Sequence, residues 1–243
     1  MTYVFAVSYA TVVIPPGLEG LSGDVRRIVH DGLAAIASDV EDERVRPTRH
    51  HLSAHHAVLQ ALRGAPVLPM RFGHVFPDDE CVKDVLLRTE APRLSAMLKR
   101  LEGRSQVIVQ LSYDEDALIA RALRSADSVP GLAARLESAR AGENVQDRIA
   151  LGELVAEAVD LAQADDERRL LAGLQDHCED AVVLSHGTHA APLRAAFLVD
   201  DEERSRFEGA LSSVVAALSQ DVTVECIGPS LPHAFVEWEG ASC

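Results

Sequence analysis

A chain of 243 residues with 47% hydrophobic and 25% charged residues has the balance of a folded globular protein, with room for one large domain or two ordinary ones. Its formal charge of −15 is lopsided: residues 1–110 hold 13 Lys+Arg and 13 Asp+Glu, and the remainder holds 10 and 25. An acidic half repels nucleic-acid phosphates and anionic membrane surfaces, and 4% aromatics provides no stacking platform for bases, so neither nucleic acid nor lipid membrane is an expected partner.

The chain opens on a β-branched and aromatic run, Thr2 to Ile14, which reads as a buried strand ended by Pro15-Pro16-Gly17. It lacks the basic leader of a signal peptide, and no run nears the roughly 18 apolar residues of a membrane span, so a cytoplasmic location is expected. Ser22 is a candidate N-cap, and Val25, Ile28, Val29, Gly32, Ile36 and Val40 follow at helical spacing, which predicts a helix there. A second helix is expected from Thr48 to Gly64, with Leu52, His55, Leu59 and Leu62 on its inner face.

Residues 65–76, APVLPMRFGHVF, read as an extended segment, and Pro69 confines it to a sheet edge or breaks it. A third helix from Asp78 carries Val82, Val85, Leu86, Leu94, Leu98 and Leu101, with Pro92 kinking or restarting it. Gly103 closes it, and Ser105 to Ser112 alternates as a strand. Strand, helix, helix, strand, helix, strand is an α+β plan close to a ferredoxin-like half.

Residues 114–176 read as almost wholly helical, with Leu151, Leu154, Val155, Ala158, Val159 and Leu161 on an apolar face. The run Asp165-Asp166-Glu167-Arg168-Arg169 reads as a solvated face. Ala181 to Leu184 and Leu193 to Val199 are expected strands, Asp200 to Ser219 a helix with Phe207, Leu211, Val214, Val215 and Leu218 inward, and Val222 to Ile227 a last strand. The expected organisation is a two-domain α+β protein: residues 1–112 as an N-terminal ferredoxin-like domain, 113–180 as a helical connection, and 181–243 as a smaller C-terminal α+β domain with an extended tail.

Candidate chemistry is sparse. His51 and His55 share a helical face, but two ligands with no HExxH pattern or nearby carboxylate do not make a metal site, and His55 falls on the apolar stripe where a hydrogen-bonded core histidine is the ordinary reading. Ser185-His186-Gly187-Thr188-His189 pairs nucleophile and base types, yet neighbours on a strand point to opposite faces, and no GxSxG, P-loop or GxGxxG is present. The cysteines Cys81, Cys178, Cys226 and Cys243 lack metal-knuckle or CxxC spacing and read as reduced thiols, with Cys243 on a frayed tail. Arg71, between Met70 and Phe72, is either held by an intradomain ion pair or exposed at the strand edge to recognise a partner. Phe235 and Trp238 in the tail either pack back on the core or form a docking patch.

Residues 67–76, VLPMRFGHVF, resemble the VLP-x-RFG-x-VF signature of the gas vesicle protein F/L family (GvpF/GvpL), through Val67, Leu68, Pro69, Arg71, Phe72, Gly73, Val75 and Phe76. His55 with Val58 is similar to that family's His-x-x-Val element, Ala196-Phe197-Leu198-Val199 to its A-[YF]-L-V strand, and GPSLPHAFV at 228–236 to its GPWPPYSFV ending. Ser230, Leu231, His233 and Ala234 depart from that ending, which implies altered docking there. The resemblance implies a cytoplasmic, gas vesicle-associated accessory protein for assembly, with a modified ferredoxin-like N-terminal domain and an α+β C-terminal one. It implies the main shell protein and other accessory proteins as partners, and no catalytic residues, metal or cofactors. Arg71 with Phe72 and Phe76, and Phe235 with Trp238, are the expected partner-binding residues. A minor structural component of the vesicle wall and a ligand-binding or enzymatic ferredoxin-like protein are the alternatives.

Overall fold

The computed structural model describes residues 1–125, 131–141, 145–186 and 193–238. The chain divides into two compact units, Met1–Gln106 with Pro229–Cys243, and Val107–Gly228. Both mix helix and sheet, so the expected α+β class holds.

In the first unit, β1 (Thr2–Tyr9) is buried on both faces and lies inside an antiparallel sheet with β2 (Ser22–His30), β3 (Leu33–Asp39), β4 (Val67–Pro69) and β5 (Val75–Phe76). The order is β2-β3-β1-β4, and β5 pairs with the first two residues of the same β1, Thr2 and Tyr3. The expected helix over Ser22 to Val40 is instead the β2–β3 hairpin, a correction with a clear cause. Asp31 and Gly32 both take positive φ, 41° and 83°, which is the backbone of a tight hairpin turn and ends any helix. Leu33 to Ser38 is buried at every position because β3 is a central strand, and a continuous apolar run contains any period one looks for. The order of elements is therefore strand, strand, strand, helix, strand, strand, helix, strand.

Helix α1 (Arg49–Ala61) begins where expected: the Thr48 hydroxyl accepts from the His51 N–H at 3.2 Å. Its Val58 and Leu59, with Leu62 beyond, pack on Tyr3 and Phe5 of β1, while Leu52, expected inside, is exposed. The third expected helix is segmented into α2 (Asp79–Cys81), a π-helical run Val82–Arg88 and α3 (Ala91–Leu101), with Pro92 in the first turn of α3 as a restart. The outer strand β2 is tied to α2 by Arg26, whose guanidinium donates to both Asp79 oxygens (3.2 and 2.8 Å) and pairs with Asp39 at 2.9 Å; Thr2 adds a third bond to Asp79 at 2.7 Å. Strand β6 (Arg104–Tyr113) leads out of this unit.

The second unit holds a sheet of order β7-β8-β6-β9, with β7 (Asp180–Ser185), β8 (Leu193–Asp200) and β9 (Val222–Ser230). Its helices are α4 (Glu115–Ser125), α5 (Leu132–Arg140), α6 (Val145–Leu174) and α7 (Arg204–Ala217). Helix α6, about 45 Å long at 1.5 Å per residue, serves two cores. Leu154, Ala158, Val159 and Ala162 pack with α4 and α5, and Leu170 and Leu174 pack with the sheet, Phe207 and Leu211. Leu161 and Val215, expected inside, are exposed.

In the charged run 165–169, Arg168 and Arg169 are exposed as expected, and Asp166 alone is buried. Asp166 is 1% exposed, and the Arg121 guanidinium donates to it at 2.7 Å and to Asp221 at 2.9 Å. Cys178 and Cys226 are free thiols; Cys81 is disulfide-bonded, against the expectation of a reduced thiol. Cys243 lies outside the described residues. No helix of the described residues is long and apolar enough to cross a membrane.

Candidate functional site

The dense segment around Arg71 becomes a loop, Met70 to His74, strung between β4 and β5 on one edge of β1. It is fastened at both ends to neighbouring β1 residues. Met70 N–H donates to the Phe5 carbonyl at 2.9 Å, and Val4 N–H donates to the His74 carbonyl at 3.0 Å. The middle is held as well: Gly73, at φ 103°, points its N–H to the Tyr3 hydroxyl at 3.1 Å.

Tyr3 and His55 form the support beneath. The Tyr3 hydroxyl stands 2.9 Å from His55 Nδ1, and the His55 ring also hydrogen-bonds the Met70 backbone. A carbonyl can only accept, so the ring N–H faces Met70 and Nδ1 accepts the Tyr3 proton. The ring is then neutral, which agrees with its chemistry: burial first, then the nearby His233, lowers its pKa from 6.5 to about 4. Burial likewise raises Tyr3 to about 12. The rings of Tyr3, Phe5 and Phe72 surround His55 at centroid distances of 5.7 to 5.8 Å. His55 is thus a hydrogen-bonded core histidine, the ordinary reading of its place on the stripe.

Against that fixed base Arg71 is exposed, and among the described residues it makes no ion pair or hydrogen bond. The expected intradomain ion pair is absent there. Phe72 is half-buried against the core that holds Tyr3 and Phe5, and Phe76 is fully buried. His74 is half-buried, and burial together with the Arg71 charge pushes its pKa down.

The tail returns to the same region. Arg63 donates to the Pro229 carbonyl at 2.7 Å, and Gln106 Oε1 accepts the Ala234 N–H at 2.8 Å. Leu231 joins the core that holds Tyr3 and Phe5, and Phe235 is 5% exposed. Arg93 donates to the Glu237 carbonyl, and the half-buried Trp238 donates its indole N–H to the Pro69 carbonyl at 2.9 Å, with its ring 6.4 Å from His74. The structure therefore returns Trp238 to the strand and loop that carry Arg71 and Phe72, from which the sequence separates it by up to 167 residues, while Phe76 and Phe235 are buried.

The remaining candidates stay apart. His51 Nδ1 lies 3.0 Å from the Arg46 carbonyl, and no group of three His, Cys, Asp or Glu side chains among the described residues could hold a metal ion. Ser185 ends β7, and His186 pairs with Glu167 at 3.1 Å; Gly187, Thr188 and His189 lie outside the described residues. Two features gave no signal in the sequence: Tyr3 as the partner of His55, since it sits in an ordinary apolar strand, and the buried Arg121–Asp166–Asp221 cluster, whose members are far apart in the chain.

The family described as gas vesicle synthesis protein GvpL/GvpF matches residues 1–237. Gas vesicle protein F of Streptomyces sp. (strain CB03234) is 33% identical over 241 residues, covering 97% of this chain and 99% of that protein. Gas vesicle protein F of Dolichospermum flosaquae is 22% identical over 240 residues, with 97% of each covered. Among solved structures, the crystal structure of GvpF from Anabaena sp. PCC7120 superposes with a TM-score of 0.82 at 21% identity, covering 98% of this chain and 99% of that one. GvpF from Microcystis aeruginosa gives 0.75 at 20% identity with the same coverage. At such identity the structural likeness speaks for the fold.

Proposed function

Because the chain belongs to the gas vesicle synthesis protein GvpL/GvpF family, we propose that it is a non-catalytic accessory protein that assists gas vesicle assembly by holding other gas vesicle proteins. Its partners are the apolar main shell protein and fellow accessory proteins, met in the cytoplasm at the growing vesicle. The observation that carries this reading is the exposed Arg71, without an ion pair or hydrogen bond among the described residues, on a loop that Tyr3, His55, Phe5 and Val4 hold still. Folded proteins pair or solvate such a cation cheaply at a mobile surface; a stiff backbone under it costs less order to bind against. Phe72, next to Arg71, and Trp238, against Pro69 and His74, are half-buried and offer partly apolar surface near it, while Phe76 and Phe235 are buried. An acidic, soluble partner keeps apolar subunits dispersed until they are placed.

Deleting the gene tests the proposal. Cells without the chain are expected to lack gas-filled compartments by electron microscopy, and restoring the gene to recover them; normal vesicles in the deletion strain would remove the assembly role.

A further inference from the structure

Edge strands commonly recognise a partner by adding its chain as one more strand, through main-chain bonds. Strand β4 has little to offer that way. Met70 N–H faces β1, so the alternation of an antiparallel pair turns the peptide groups of Val67 and Pro69 outward. Pro69 has no N–H, and its outward carbonyl already accepts the Trp238 indole N–H at 2.9 Å. Val67 is then the one residue of β4 with an outward donor, too little for a strand to register on.

What the edge does present is a guanidinium. Its planar fork matches a carboxylate in two parallel hydrogen bonds, a geometry an ammonium cannot reproduce. The backbone that carries it is pinned before it at Met70 and after it at Gly73 and His74. Arg71 has no acid of its own among the described residues.

Resting on the reading that this chain holds other gas vesicle proteins, we infer that Arg71 is the receptor for an Asp or Glu side chain on the partner, gripped side chain to side chain beside Phe72, with strand addition at β4 closed off by Trp238. Residues 1–110, which carry Arg71, balance 13 Lys+Arg against 13 Asp+Glu, so this half does not repel an acidic partner, and the guanidinium on its pinned loop fixes where a partner carboxylate can land.

The test uses the full chain, immobilised, and the purified main shell subunit as probe, with Arg71→Lys, Arg71→Gln, Arg71→Glu and Trp238→Phe variants whose circular dichroism matches the parent. Arg71→Gln is expected to weaken capture about tenfold or more, Arg71→Glu further, and Arg71→Lys less; Trp238→Phe does not tighten capture, and added salt weakens the parent. Changing the partner's acids to amides one at a time then finds a position that reproduces the loss with the parent chain and adds nothing with Arg71→Gln. Parent-like capture by Arg71→Glu overturns the inference while leaving the assembly role standing. So does tighter capture by Trp238→Phe with Arg71→Gln unchanged, which marks strand addition. No capture by the parent chain overturns the inference and, with it, the shell protein as a direct partner.

Discussion

Tyr3 Oη and His55 Nδ1 stand 2.9 Å apart across 52 residues of sequence, and the same hydroxyl receives the Gly73 N–H. One phenol therefore couples the first strand, the first helix and the Arg71 loop. Tyr3→Phe keeps the ring, strands the buried His55 Nδ1 and releases the Gly73 N–H, which costs about 1–3 kcal/mol. Urea unfolding should show a lower midpoint at unchanged slope, and an unchanged midpoint would mean that the hydroxyl carries no weight.

His55 makes stability depend on pH. Its folded value of about 4 lies below the ordinary 6.5, so between these values the unfolded chain binds a proton that the folded chain refuses. The contribution is full above about pH 6.5 and is lost as pH falls towards 4. A shift of that size corresponds to about 3 kcal/mol. The lowered values of His74 and His233 act in the same direction. Denaturation midpoints should fall steadily over this window, and His55→Gln should flatten the slope; an equal slope in that variant would assign the effect elsewhere.

Arg121 compensates two buried carboxylates at once. Arg121→Met leaves Asp166 and Asp221 facing each other without a counter-charge and costs about 3–5 kcal/mol. Burial already raises the Asp166 pKa, so the variant's deficit should shrink in acid as that carboxylate takes a proton. Thermal melts at neutral and acidic pH give the comparison; an equal deficit at both would refute this account.

Two glycines separate backbone strain from lack of space. A Cβ at Gly32 meets nothing within 4 Å, so Gly32→Ala pays only for its φ of 83°, about 1 kcal/mol. A Cβ at Gly20 would sit 2.2 Å from Ser38 Cβ, so Gly20→Ala must displace β3 and should cost clearly more. Reversed ranking in chemical denaturation would count against this packing of loop on strand.

Much of this was legible in the residues. Thr48 as a cap, Pro69 as an edge marker and Pro92 as a restart each act within a few residues, and the structure shows all three. The β2–β3 hairpin was misread because its apolar residues happen to recur at helical spacing, although Asp31-Gly32 was the turn signal that should have overridden them. At the site, Arg71 stood out by type and neighbours. The Tyr3–His55 bond and the Trp238 cap on Pro69 join residues 52 and 169 apart, a distance at which one sequence carries no pairing information.

The grouping of Pro229–Cys243 with Met1–Gln106 has a consequence for synthesis. A ribosome must add Val107 to Gly228 after completing the first sheet before the residues that cover β4 exist. At 5–20 residues per second that interval is about ten seconds. For that time the nascent chain carries a bare strand edge, and only the finished polypeptide has the guard in place.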